Sequence, residues 1–398
     1  MTCIFTVKGI FPMAIPFIDL AAQKARIGGA IEGAVKRVLD HGAYIMGPEV
    51  KTFEANMAAF AGATHCLSCA NGTDAIELIL RGLGITAGDA VFVPAFTFVA
   101  TAEVVPMTNA EPVFVDVQAD TYNIDPVKLE AAIEAVKAEG RLKPAAIIAV
   151  DLFGQAADYP ALSVIAKKHG LHLICDSAQG FGTTIDNKQP LEYCVATATS
   201  FYPAKPLGCY GDGGAIVTND DALMERLISF RVHGGATPTD AATMKFEHET
   251  KYLNVRIGMN SRLDTIQAAV LIEKLNIFAE EIELRQAVAA RYAEKLSGKV
   301  LSVPHVKEGV VSTWAQYTIE HENRDGLQAH LRTAGVPTAV YYPIPLHQQP
   351  GYSMYRSGGW DLSVSEAKAK TVIALPFSPY LTAETQDEIV AAVLGFNG

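Results

Sequence analysis

A lysine in a glycine-rich, largely uncharged turn stands out chemically: Ser200-Phe-Tyr-Pro-Ala-Lys205-Pro-Leu-Gly208-Cys-Tyr-Gly211-Asp-Gly213-Gly214. An ammonium group is costly to bury, so such surroundings imply a chemical use for the amine. Imine formation with an aldehyde cofactor is one such use, because the attacking amine must first lose its proton and desolvation favours that loss. Upstream, the apolar run Leu171-His-Leu-Ile-Cys175 leads into Asp176-Ser-Ala-Gln179. An aspartate is thereby placed at the carboxyl end of a buried strand, the edge at which α/β sheets bind ligands. A lysine for the imine and an aspartate for a pyridinium nitrogen are the pair that pyridoxal 5'-phosphate (PLP) requires.

A third segment fits the same ligand. Ser68-Cys-Ala-Asn71-Gly72-Thr73-Asp74 joins a strand-like run to a helix-like one, and free amides at a helix start beside a glycine and a hydroxyl bind phosphate. Read alone, it is equally an ordinary capped turn, with Asn71 or Thr73 as the cap. Pro94-Ala-Phe-Thr97-Phe98-Val-Ala-Thr101 follows another strand-like run. Phe98 there either stacks on a pyridine ring or packs in the core. No GxGxxG occurs, which speaks against a nicotinamide site. The six cysteines form no framework: they include one CxxC, Cys66 to Cys69, with no second pair or histidine cluster at zinc spacing, and this pair, in a strand-like segment, is read as buried thiols in a reducing cytoplasm. No metal is expected. Asn71-Gly-Thr73 also matches the glycosylation pattern, read here as accidental.

These segments need a scaffold, and the chain supplies one. Its 398 residues are 49% hydrophobic and 19% charged, the composition of a large globular protein. A net charge of −11 leaves no basic face for nucleic acid. No apolar run reaches the roughly 18 residues of a membrane helix. The opening residues lack a signal-peptide pattern, and Met13 is an alternative start to Met1. Helical patterns over 48–60, 74–82, 125–139 and 159–169 alternate with strand-like runs at 64–70, 90–94, 112–117, 145–152, 171–175 and 215–218, which predicts a mostly parallel, doubly covered sheet. Residues 237–249 read as a loop. Beyond 260 a long helical stretch, 264–295, leads to strands at 313–320 and 338–342 and helices at 324–334 and 382–394, a smaller α+β domain. The expected boundary falls between a large domain, 14–262, and a small one, 263–398.

Taken together, these motifs resemble the DegT/DnrJ/EryC1/StrS family of sugar aminotransferases, with the type I (aspartate aminotransferase) PLP fold. The similarity runs from Phe17 to the C-terminus through Gly47-Pro-Glu49, Asn71-Gly-Thr73, Thr97 to Thr101, Asp176 to Gln179, Ser200 to Gly214, Gly258-Met-Asn260-Ser-Arg262-Leu-Asp264 and Tyr342-Pro-Ile-Pro-Leu-His347. Within the family the chain is most similar to enzymes that aminate UDP-2-acetamido-2-deoxy-3-oxo-glucuronate for bacterial surface polysaccharides, although Tyr341 stands where that group carries a histidine. The resemblance implies that Lys205 carries the imine and Asp176 meets the pyridinium nitrogen. It implies that Gln179 approaches the ring oxygen, Phe98 stacks on the ring, and Gly72, Thr73 and Ser200 hold the phosphate. Asn260 would reach the site of a partner subunit, making the protein a homodimer with shared active sites. Arg262, Tyr341 and His347 would face the nucleotide sugar, with L-glutamate as amino donor and the cytoplasm as location.

Alternatives stay open. One is amination of another UDP- or dTDP-linked 3-keto or 4-keto sugar. A PLP-dependent sugar dehydratase is another, although such family members carry histidine at the Lys205 position. A third is a non-catalytic sensor on the same fold.

Overall fold

The computed structural model describes residues 15–244, 252–355 and 360–398. Its centre is a seven-stranded sheet in the order β1-β8-β7-β5-β4-β2-β3. The strands are β1 (His65–Cys69), β2 (Asp89–Pro94), β3 (Glu111–Val115), β4 (Lys143–Val150), β5 (His172–Asp176), β7 (Ala196–Ser200) and β8 (Gly214–Thr218). Short β6 (Thr184–Ile185) pairs with β9 (Val310–Val311) outside it. β8 alone runs against its neighbours β1 and β7, and the remaining pairs are parallel. The mostly parallel sheet of the α/β fold expected from the alternating pattern is therefore present.

Each central strand is apolar on both sides because helices cover both faces. Leu67, Val91, Val93, Ile148, Ile174, Ala198 and Ile216 share one core with α3 (Gly72–Gly82), α4 (Ala100–Met107) and α7 (Asp221–Arg231). Their strand neighbours point the other way, as the two-residue repeat requires. Phe92, Ile147 and Cys175 meet α5 (Pro126–Glu139) and α6 (Tyr159–His169), while Cys66, Ala215 and Val217 meet α2 (Pro48–Ala61) and α9 (Thr265–Leu296).

The 32-residue α9, about 48 Å long at roughly 1.5 Å per residue, belongs to two cores. Leu271, Phe278 and Ile282 pack beneath the large sheet. Val288, Ala289, Tyr292 and Leu296 join a separate core with β10 (Tyr317–Glu320), α10 (Arg324–Thr333), β11 (Val372–Leu375) and α12 (Ala383–Leu394). Between them, α11 (Ser363–Thr371) is pinned by two buried carboxylates, Asp116 at its start and Glu320 at its end. Among the described residues no helix is long and apolar enough to cross a membrane.

Three local readings change. Residues 338–342 are not a strand, since only Ala339 bridges to Ala374, and the partner of β10 is β11. The prolines at 343 and 345 lack amide donors for a ladder, so the segment leaves the small sheet. Within 313–320 only Tyr317–Glu320 is strand, because Thr313 donates its amide to Gly154 instead. Within 237–249, α8 (Pro238–Thr243) is a helix closed by a Thr237/Asp240 capping box, and 245–249 lie outside the described residues. The 22-residue α1 (Leu20–His41) gave no clear sequence signal, as Gly28, Gly29 and Gly33 dilute its propensity. It is held on α9 by Gln23, which donates to the buried Glu281 at 2.9 Å.

Candidate active site

The segments singled out by their chemistry leave neighbouring strands at one edge of the sheet. Asp176 closes β5, Ser200 closes β7, Gly214 opens the antiparallel β8, and the turn to α3 follows β1. Gly214 is the Cα partner of both Cys69 and Ser200, so this one register aligns the two flanking turns. Gly72 then sits directly against Ser200, where an added Cβ would stand 2.6 Å from the serine Cβ. Asn71 is the cap, its side chain accepting from the Asp74 amide at 2.8 Å. The amides of Gly72 and Thr73 precede the helix's own ladder and face outward from it.

Asp176 is buried, yet both oxygens are satisfied: Oδ2 accepts from the Thr101 hydroxyl at 2.8 Å and Oδ1 from the Ala178 amide at 3.2 Å. Burial pushes its carboxyl above the ordinary value, while Thr101, Ala178 and the charge of Lys205 pull it back. Lys205 shows the mirror image: burial pushes its amine below the ordinary value, and Asp176 is the charge that opposes the shift. The two residues are thus electrostatic partners, with the lysine turn closed by Lys205 N–H to the Tyr202 carbonyl at 2.8 Å. Behind that turn, the buried Lys274 of α9 donates to the Gly208 carbonyl at 2.7 Å.

Gln179 is fixed at both ends of its amide. Its Oε1 accepts from the Phe153 amide at 2.7 Å, and its Nε2 donates to the Tyr342 hydroxyl at 3.0 Å, leaving one Nε2 hydrogen free of that contact. Phe98 lies 6.1 Å from the Tyr342 ring and is 51% exposed, so it is not a core side chain. Tyr341 packs against Phe17, and its hydroxyl is pushed up by burial and then by Tyr202. His347 pairs through Nε2 with Glu366 of α11 at 3.1 Å.

Asn260 and Arg262 lie on the loop before α9. Asn260 is exposed, and no hydrogen bond or ion pair joins either side chain to Lys205, Asp176 or Gln179 among the described residues. The intervening Ser261 accepts the Ala70 amide at 3.1 Å.

Two residues given no role from the sequence lie directly against Asp176: the Thr101 hydroxyl donates to its carboxylate and the Asp151 amide to its carbonyl. Thr101 sits in a quoted stretch, and its four-residue spacing from Thr97, whose hydroxyl lies 3.2 Å away, was the available signal. Asp151, just past β4, is fully buried and accepts from Tyr159, Ser177, Cys175 and the Ala157 amide. It shares no motif with Asp176, and strand adjacency alone brings them together. Cys66 and Cys69 are buried free thiols pushed up by desolvation, as expected of them.

Known proteins are similar to this chain over nearly its whole length. The UDP-2-acetamido-2-deoxy-3-oxo-D-glucuronate aminotransferase of Pseudomonas aeruginosa is 46% identical over 379 residues, covering 95% of this chain and 99% of its own. A crystal structure of a DegT DnrJ EryC1 StrS aminotransferase from Brucella abortus superposes with a TM-score of 0.91 at 50% identity, over 96% of this chain and 99% of that one. The Bacillus subtilis protein ntda, solved with bound cofactor pmp, superposes with a TM-score of 0.80 at 28% identity, over 96% of this chain and 83% of that one. With the family model matching residues 25–394 from α1 to the end of α12, the chain belongs to the DegT/DnrJ/EryC1/StrS aminotransferase family.

Proposed function

We propose that the chain is a PLP-dependent aminotransferase that moves an amino group from L-glutamate to UDP-2-acetamido-2-deoxy-3-oxo-glucuronate, in bacterial surface polysaccharide synthesis. The observation that carries this is the convergence at one strand edge of the buried Asp176, held by Thr101 and the Ala178 amide, with the half-buried Lys205 on the turn after β7. The 46% identical relative of that name supports the sugar.

The residues present fit the cofactor. A Cβ at Gly72 would strike Ser200, so glycine there lets the Ser200 hydroxyl stand close to the first amides of α3, a set of donors suited to a phosphate. Gly72, Thr73 and Ser200 would hold the phosphate, Asp176 the ring nitrogen, Gln179 the ring oxygen and Phe98 the ring face. When bound, PLP supplies an electron-poor ring that takes up the pair released as a C–H bond beside nitrogen breaks.

The chain's own residues do the rest. Thr101 and the Ala178 amide favour the ionised form of Asp176 against its burial, so it remains an acceptor for a ring N–H. Lys205, whose amine is eased toward neutrality by burial, removes the proton from the donor's α-carbon. The keto acid leaves, a keto sugar enters, and Lys205 then delivers a proton to the sugar carbon that receives the amino group.

Arg262, Tyr341 and His347 are proposed to face the sugar. Arginine can grip a carboxylate or phosphate through two charge-assisted hydrogen bonds, and no ion pair occupies Arg262 among the described residues. The working unit is proposed to be a cytoplasmic homodimer in which Asn260, exposed here, serves the partner's site. The proposed division of the chain stays at 262/263, just ahead of the helix that serves two cores.

The test compares kcat/KM, with L-glutamate as donor, across UDP- and dTDP-linked keto sugars, with products identified by mass spectrometry. The 3-keto uronate should lead. A preference for a sugar without the carboxylate would overturn the substrate while leaving the transamination intact.

A further inference from the structure

Arg231, the last residue of α7, has no part in the chemistry above, yet it is a buried cation only 6% exposed. Its Nη1 donates to Glu54 Oε1 on α2 at 2.7 Å and to the Ser68 carbonyl at 3.0 Å. The same Glu54 oxygen accepts from the Ser68 amide at 2.9 Å and from its hydroxyl at 2.8 Å. One ion pair therefore holds the amide, hydroxyl and carbonyl of Ser68, shortly before the Asn71-Gly72-Thr73 turn. From its other side, Arg231 accepts the Ser261 amide on its own carbonyl at 3.1 Å, and the Ser261 hydroxyl accepts the Ala70 amide at 3.1 Å. The frame is closed: Ser68 and Ala70 lead into the turn, and each is fastened to a group fixed by Arg231.

We propose that Arg231, with Glu54, is a positioning residue for the cofactor's phosphate: it fixes the approach to the Gly72–Thr73 turn and locks that turn to the Asn260–Arg262 loop. This rests on the phosphate reading of the turn given above. Amides at a helix start reward an anion only when they converge on one place, so their value depends on the backbone leading into them being fixed. Both Nη1 hydrogens are in use, one on a carboxylate and one on a carbonyl. Methionine supplies neither and leaves the half-buried Glu54 without its counter-charge. Lysine restores the charge on a more flexible stem but not the planar fork.

The experiment uses the full-length chain freed of cofactor and two probes with the same ring and aldehyde, PLP and pyridoxal, which differ only in the phosphate. The dissociation constants are measured for wild type, Arg231→Met, Arg231→Lys and Ser261→Ala, together with Tm. The preference for PLP over pyridoxal should fall about tenfold in Arg231→Met, equivalent to ~1.4 kcal/mol. It should fall less in Arg231→Lys and Ser261→Ala, while pyridoxal affinity stays level. A merely structural residue lowers Tm and leaves that preference untouched. A wild-type preference in a folded Arg231→Met overturns the proposal. If Arg231→Met does not fold, a wild-type preference in both Arg231→Lys and Ser261→Ala overturns it equally. A wild-type protein with no preference for PLP would instead sink the phosphate reading of the turn, and this proposal with it.

Discussion

Replacing Asp176 by asparagine separates the chemistry of the site from its architecture. The carboxylate accepts one hydrogen bond on each oxygen, from Thr101 and from the Ala178 amide. Asparagine keeps one acceptor, which must face Ala178, because a backbone amide can only donate. Its NH2 then faces Thr101, whose hydroxyl can accept that bond and turn its own proton toward Thr97, 3.2 Å away. The local network therefore survives, and the folding cost should be about 1 kcal/mol, near 2 °C in Tm for a chain of this size on the order-of-magnitude scale.

The chemical cost is larger. If Asp176 meets the cofactor's ring N–H, removing its charge breaks a buried charge pair on one side, about 3–5 kcal/mol, and each ~1.4 kcal/mol is tenfold in rate. The glutamate half-reaction should slow by roughly 10²- to 10⁴-fold. The Lys205 amine also loses the charge that opposes its downward shift, so its pKa should fall further. The assay is single-turnover absorbance of the bound cofactor after mixing with L-glutamate, with cofactor content and Tm measured on the same sample. Near-normal turnover in a loaded, folded variant would make Asp176 structural and refute the assignment.

Borohydride reduction of the holoenzyme followed by peptide mapping should place the pyridoxyl group on Lys205, and labelling of another lysine would defeat that assignment. Mixing inactive Lys205→Ala and Asn260→Ala subunits should regenerate activity, since one site of each hybrid has both residues intact; no recovery in a verified heterodimer would count against shared sites. Asp151 is pushed up to about 6 by burial, so between the unfolded carboxyl value near 4 and pH 6 the folded state holds a proton that the unfolded state has lost. Stability from this group is complete below that window and declines as pH rises through 6, so the Tm gap between wild type and Asp151→Asn should shift against wild type from pH 4 to pH 7, and a pH-independent gap would contradict the shift.

How much of this was legible in the sequence depends on the kind of signal. Lys205 and Asp176 could be read because each is a charged residue in a place where charge is costly, and that anomaly survives without knowledge of the fold. The strands could be read because a doubly covered parallel sheet leaves continuous apolar runs, such as Leu171 to Cys175, whereas 338–342 carried strand-like residues into a proline segment that cannot complete a ladder. The supporting frame could not be read. Glu54 and Arg231 are 177 residues apart and look like ordinary charges on two amphipathic helices. They meet because β8 inserts antiparallel between β1 and β7, which sets Gly214 against both Cys69 and Ser200 and draws α2, α7 and the Ser261 loop around the end of β1. That insertion also explains the glycines behind the lysine turn. At Gly214 an added Cβ would strike the Asn71 carbonyl, so a side chain there would push the Asn71–Gly72 turn away from Ser200. The glycine run that first drew attention to Lys205 is therefore the part of the lysine loop that lets a second, distant turn close against it.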